Sequence, residues 1–329
     1  MDVFFWHRDL KMYILGIHIG HESAASLIKD GIIVGAIQEE RFDRIKNSSN
    51  FPIHSIKFLL NKENIEPSDV FSVVIPGKEL GKELPFDVLK RRLGYKGQGI
   101  LFKLKLFLAY LFKSDCIRKN IYNVSRSKKL IISHLKKIGF LNAKISFLDH
   151  HLCHAASAYY SSPYENALIV TQDGKGDGAS GTVFIGKKGK LTEIARQKDI
   201  DSIGQFYAEI TRFLGFKPNR HEGKITGLAA YGVTKNIIDK FDLLVKSTFP
   251  SIQRSNILKN INTWKNKLSL SDRIKLFSSH PDILPYNISS FQFNEWLREN
   301  FSHESKENLS SAIQESVENW TVKLCKKHI

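Results

Sequence analysis

One order of elements occurs twice in this sequence, and it limits the fold more than any other feature. Tyr13 to Ile19 is a short, apolar, β-branched run, the pattern of a buried strand. Gly20-His21-Glu22-Ser23 turns the chain, and Ala24 to Lys29 forms a second strand. Asp30-Gly31 suits the two positive φ values of a type I′ hairpin, and Ile32 to Gln38 is its return strand. The same order comes back at 167–196. Ala167 to Gln172 is a buried strand, Asp173 to Gly178 an acidic, glycine-rich turn, and Ala179 to Ile185 a second strand. A hairpin turn at Gly186 to Gly189 then leads into Lys190 to Arg196. The order of elements repeats; the residues do not.

Between the repeats, the apolar spacing predicts a helix near Pro52 to Asn61, a strand at Phe71 to Pro76 and another at Lys144 to Leu148. Residues from about 80 to 140 lack strand patterning and read as a helical insert. Beyond about residue 233 the chain is polar and helical. Its last helix carries an apolar stripe of Ile313, Val317, Trp320 and Leu324. Two facing halves of this kind describe an α/β architecture, that of the actin, hexokinase and heat-shock-protein ATPases, with nucleotide between the halves. No strand follows the final stripe, so the second half is expected to be short of strands.

Charge narrows the partners. The net charge is +16, and between Lys90 and Lys137 there are fourteen Lys or Arg residues against one acid, Asp115. Such a run suits nucleic acid or an anionic membrane. Aromatic residues are not regularly interleaved with it, however, which favours a solvated helical face over a nucleic-acid partner. No apolar run reaches the ~20 residues of a membrane span, and the segment before Lys11 has no apolar signal core. Met12 stands directly before the first strand, so residues 1–11 read as an upstream extension. Cys116, Cys153 and Cys325 have neither disulfide nor zinc spacing, the usage of a reduced, cytoplasmic protein.

Four segments carry chemistry. In Asp149-His150-His151-Leu152-Cys153-His154, a helix places His150 and His154 on one face, where they can share a metal; iron, zinc and nickel all suit imidazole. His151 points elsewhere, to orient a neighbour or to meet substrate. The plain alternative is a helix capped by Asp149 with incidental histidines. No Glu follows the first histidine, which excludes the metalloprotease pattern. In Gln172-Asp173-Gly174-Lys175-Gly176-Asp177-Gly178, glycines Gly174 and Gly176 let backbone N–H groups approach phosphate. Asp173 is placed to hold a metal-bound water or a phosphate-bound Mg²⁺. The alternative is an ordinary hairpin turn. The matching first turn offers His21 to an anion and Ser23 to phosphate.

The third segment, Gly215 to Gly232, contains Glu222, Lys224 and Gly227 among small residues. That pattern suits a ribose or base contact on a closely packed helix, or else a surface ion pair. The fourth, Glu39 to Lys46, leaves a strand end, where sites collect in α/β folds; its Arg44 and Lys46 are candidates for an anionic substrate such as an acyl phosphate. Charge runs of this sort are more often solvated.

Together these segments resemble the O-carbamoyltransferase family of tobramycin, cephalosporin and nodulation-factor carbamoyltransferases. The matching pieces are GHESAAS (20–26), EERFDRIKN (39–47), DHHLCHAASAYY (149–160), TQDGKGDGASG (171–181), and IGQFYAEITRFLGF running into HEGKITGLAAYG (203–232). The resemblance implies a Kae1-like domain over 12–329, on the actin-like (ASKHA) ATPase fold with duplicated ribonuclease H-like halves, the second incomplete. It implies a separate YrdC-like domain that turns carbamoyl phosphate into carbamate, and ATP-dependent carbamoyl transfer to a hydroxyl acceptor through carbamoyl adenylate.

By the same resemblance, His150 and His154 are ligands of Fe²⁺ or another divalent metal. His21 and Lys46 lie around the adenylate, and Asp173, Gly174, Gly176, Glu222, Lys224 and Gly227 lie in nucleotide-binding segments. The sequence departs from the family in three ways. Glu22 stands where the family usually has Asp, and Lys175 to Gly178 replaces aromatic or Thr residues. A later Asp, the family's third metal ligand, and the YrdC-like domain are expected to be missing from this chain. This reading makes the chain part of a transferase, inactive alone, with a separately encoded C-terminal part as a candidate partner. A relative of the tRNA threonylcarbamoyl transferases and a nucleotide-binding module without catalysis are the competing readings.

Overall fold

The computed structural model describes residues 11–80, 84–95, 122–199, 202–234, 237–242 and 297–329. The extension before Lys11, the centre of the insert (96–121) and residues 243–296 of the polar region lie outside the described residues. The chain divides into two compact units, the first ending at His150 and the second running on from His151.

In the first unit, β1 (Tyr13–His18), β2 (Ala24–Lys29) and β3 (Ile32–Gln38) form an antiparallel meander. Asp30 and Gly31 take φ 50° and 83°, as the hairpin requires. Two parallel strands, β4 (Val70–Pro76) and β5 (Lys144–Leu148), extend the sheet on the β1 side. The order β3-β2-β1-β4-β5 is that of a ribonuclease H-like half. Between β3 and β4 run the short α1 (Glu40–Asp43) and α2 (Ile53–Glu63); α3 (Phe86–Arg92) and α4 (Val124–Lys137) follow β4. Among the described residues, the regular elements of the insert are thus helices.

Alternation along β1 puts Tyr13, Leu15, Ile17 and Ile19 on one buried face. Ile56, Leu59 and Leu60 of α2, with Ile131 and Leu135 of α4, complete that core. Each fully buried Leu or Ile contributes about 1.5–3 kcal/mol relative to exposure.

The second unit opens with α5 (His150–Tyr160); the division falls behind its first residue, which is described here with the helix. Strands β6 (Asn166–Gly176), β7 (Ala179–Lys187) and β8 (Lys190–Lys198) repeat the antiparallel meander, in the order β6-β7-β8. Helices α6 (Ile203–Phe213), α7 (Glu222–Ala229), α8 (Ile238–Asp242) and α9 (Lys306–His328) follow. Phe206 and Ile210 of α6 pack with Ile313, Trp320 and Leu324 of α9, so the final stripe is a core face. Tyr159 of α5 lies over Gly186 of β7, where a Cβ would stand 2.5 Å from the ring. Among the described residues this sheet has three strands against five in the first unit.

One expectation needs correcting. The segment from Asp173 to Gly178 is not all turn, because β6 continues to Gly176. Pairing with β7 breaks after Gln172 and resumes at Gly176 opposite Ala179, so residues 173–175 bulge within a strand. The turn itself is Asp177-Gly178, at φ 52° and 76°.

Candidate functional site

The chemistry of the second unit centres on α5 and the bulge of β6. His151 is fully buried, and its Nδ1 lies 2.8 Å from Thr171 Oγ1 on β6. Thr171 Oγ1 meets Thr182 Oγ1 at 2.7 Å and accepts the Thr182 backbone N–H at 3.1 Å. This link fixes the rotation of the helix. With His151 turned inward, His150 and His154 share the other side, one turn apart. Asp173, in the bulge two residues beyond Thr171, joins them. One donor atom from each of His150, His154 and Asp173 lies within 4.8 Å of the other two. His154 Nε2 stands 3.6 Å from Asp173 Oδ2. Their side chains are 53% and 39% exposed, so an ion has access from solvent.

Two imidazoles and a carboxylate in one cluster fit Fe²⁺ or Zn²⁺, and suit the harder Mg²⁺ less well. The sequence pattern paired the two histidines and left Asp173 to a metal-bound water or a phosphate-bound Mg²⁺; the fold sets Asp173 beside the pair.

Helix α6 is pressed against the same bulge. Ser202 caps it, accepting the Gln205 N–H at 3.0 Å, and donates its hydroxyl to the Asp173 carbonyl at 2.9 Å. A Cβ on Gly204 would lie 2.8–2.9 Å from the Asp173 and Gly174 backbone, so only glycine allows this approach. Sequence reasoning missed Gly204. The available signal was a glycine in the first turn of an otherwise well-patterned helix, where it costs helix stability. Gly174 has open space on its Cβ side, whereas Gly176 is buried in its strand pair.

The third segment folds as α7. Glu222 accepts the Asn219 N–H, and the Lys224 ammonium lies 5.7 Å from the Phe216 ring centre. The helix packs against α9, as expected of it, but among the described residues no atom lies within 4 Å of a Cβ position on Gly223 or Gly227. The tight contact falls instead at Gly232, against the backbone of Glu307 and Asn308. Tyr207 ties α6 to α7 and α9 through Thr226 and Gln314, each at 3.1 Å.

In the first unit, His21 and Lys46 are both well exposed, on the turn after β1 and in the loop after α1. Carboxylates join the turn and the loop. Glu22 Oε1 accepts from Asn47 Nδ2 at 2.6 Å, and Glu22 Oε2 is 3.7 Å from His21 Nδ1. Glu40 accepts the Asn47 N–H at 2.8 Å and faces the Lys46 ammonium at 3.5 Å. That backbone N–H, aided by Lys46, holds the Glu40 carboxyl below the usual range. Burial pushes Asp43 upward, but hydrogen bonds from Ser48, Ile45 and Asn50 outweigh it and lower the group overall. Arg44, in a left-handed conformation at φ 58°, is exposed.

Ser23 is not placed for phosphate. It is buried, and its N–H and hydroxyl both donate to the Ser48 carbonyl. Glu39, read as part of a solvated run, is buried as well. It accepts the N–H groups of His54 and Ser55 and the Ser55 hydroxyl, and lies 2.6 Å from His54 Nδ1, so it caps α2.

No helix among the described residues is long and apolar enough to cross a membrane. A family model described as carbamoyltransferase N-terminus matches residues 13–327. An uncharacterized protein of Synechocystis is 34% identical over 247 residues, 72% of this chain and 38% of its own length. An uncharacterized protein of Methanocaldococcus jannaschii is 34% identical over 218 residues, 66% of this chain and 33% of its own. Nodulation protein NolNO of Sinorhizobium fredii is 29% identical over 216 residues, 64% of this chain and 28% of its own. The chain therefore spans about a third of the length of these curated relatives. Component A of the Acidaminococcus fermentans (R)-2-hydroxyglutaryl-CoA dehydratase superposes with a TM-score of 0.37 at 14% identity, covering 92% of this chain and 97% of that one.

Proposed function

Because the chain belongs to the carbamoyltransferase N-terminus family, we propose that it supplies the metal and nucleotide site of an ATP-dependent carbamoyl transfer. In this reading the carbamoyl group comes from carbamoyl phosphate, is carried as carbamoyl adenylate, and passes to a hydroxyl of a sugar-like or natural-product acceptor. The observation that carries the proposal is the grouping of His150, His154 and Asp173 beside Gly174, whose Cβ side is open.

His150, His154 and Asp173 would hold the divalent metal, Fe²⁺ by resemblance. When bound, such an ion supplies positive charge against phosphate oxygens. Gly174, open on its Cβ side and with its N–H on the Asp173 carboxylate, lies at the capped start of α6, where a helix N-terminus favours phosphate. On α7, Glu222 and Lys224 supply polar groups, and the bare face at Gly227 admits a flat ring or ribose. His21 and Lys46 are assigned to the surroundings of the adenylate, as a hydrogen-bonding imidazole and a cation. The Glu22–Asn47 and Glu40–Lys46 contacts steady them. Carbamate formation belongs, in this reading, to the part of the relatives that this chain does not span.

Direct binding tests the proposal. Loaded anaerobically with Fe²⁺, the purified chain is expected to bind ATP in calorimetry and, alone, to form no carbamoylated product. His150→Ala and His154→Ala should weaken ATP binding by about tenfold or more. ATP affinity unchanged in both variants contradicts the proposal.

A further inference from the structure

The insert brings one strong cation to the turn after β1. Arg92 closes α3, and its Nη1 donates to the Ile19 carbonyl at 2.7 Å, immediately before Gly20. Its own carbonyl accepts the Phe51 N–H at 2.8 Å, so the residue is held from both sides. The guanidinium is partly buried, and burial, then the neighbouring Arg91, pulls its pKa down. No ion pair joins it to a carboxylate among the described residues. Glu22, the one acid of the adjoining turn, is engaged with Asn47 instead.

The other side chains at this turn are imidazoles. His18 Nε2 donates to the His21 carbonyl at 3.0 Å, and its ring covers Gly20, where a Cβ would lie 2.3 Å from Nε2. Burial lowers the His18 pKa; the hydrogen bond to the His21 carbonyl opposes this, and the nearby His21, His150 and Arg92 add to the lowering. His21 projects into solvent. A guanidinium drawn partly out of water with no counter-ion is costly, and its planar fork of donors matches the oxygens of a phosphate or carboxylate.

We propose that Arg92 binds an oxyanion, a phosphate or carboxylate group of the substrate, at the His18–His21 turn, so that the insert supplies a ligand-binding residue. The proposal deepens the functional reading above and rests on it only for which molecule carries the anion.

The test follows the Arg92 Nε–H resonance of the full chain, identified by its loss in Arg92→Lys. Inorganic phosphate and acetate are titrated separately at constant ionic strength. A saturable shift is expected, with phosphate affinity roughly tenfold lower in Arg92→Lys and lost in Arg92→Gln. Saturation by phosphate alone assigns the site to a phosphoryl group, and by acetate alone to a carboxylate; either supports the proposal. No saturable shift with either anion, or wild-type phosphate affinity in Arg92→Lys, overturns it. Should Arg92→Gln fail to fold, the wild-type titration and Arg92→Lys decide. ATP binding indifferent to His150 and His154 would remove the functional reading and leave this result standing.

Discussion

The two meanders are built alike and end in opposite chemistry. After β1, the turn and the loop beyond α1 are joined through Glu22, Asn47, Ser23 and Ser48; His21 and Lys46 are left exposed, and Arg92 is half-buried on the Ile19 carbonyl. In β6, the bulge presents a carboxylate, Asp173, to two imidazoles, with the start of α6 seated on its backbone. What packs against the end of the first strand decides the difference. A carboxylate-held loop and an insert helix bring Lys46 and Arg92 to one end; a helix bearing two histidines and another with a capped N-terminus meet the carboxylate at the other. One backbone plan thus carries different side chains at the end of its first strand in each unit.

The comparison can be broken most sharply at Gly204. Gly204→Val would drive side-chain atoms into the Asp173–Gly174 backbone and should cost about 3 kcal/mol in denaturant unfolding, with loss of metal binding. Gly174→Ala, which points into open space, should change stability far less; an equal loss in both would mean that the α6 contact does not shape the bulge. The corresponding support in the first unit is Glu39. Glu39→Gln should cost about 1–3 kcal/mol, because it disrupts the acceptor set that caps α2, and should leave metal binding intact.

The smallest effect is one of pH. Glu40 and Asp43 sit below their ordinary pKa values in the folded chain. Their contribution is therefore complete above the unfolded value of about 4 and is lost as pH falls through the folded values. Exchange protection at the Asn47 amide should hold down to about pH 4 and decline below it, before the β6–β7 ladder is affected. Simultaneous loss in both places would show that the carboxylates do not act locally.

Much of this was legible in the sequence. The Asp30-Gly31 hairpin follows from turn chemistry, β2, β3 and β5 from apolar patterning, and the shared face of His150 and His154 from helical spacing. The participation of Asp173 was not, because only the bulge in β6 and the inward turn of His151 bring it to the pair. Arg92 was hidden among fourteen basic residues that read as a solvated face; its bond to Ile19 joins residues 73 positions apart. Glu39 looked like part of an exposed charge run, since nothing local reveals that its carboxylate turns in to cap α2. Spacing reports faces of single elements, and these three residues act across elements.

In the proposed function Asp173 completes a metal site with His150 and His154. Calorimetric titration of the full chain with Fe²⁺ under anaerobic conditions, beside Asp173→Asn, tests it most directly. The account predicts one ion per chain, and a loss in Asp173→Asn greater than the roughly 10–100-fold typical of outer-shell partners. Equal affinity in the two proteins would contradict it.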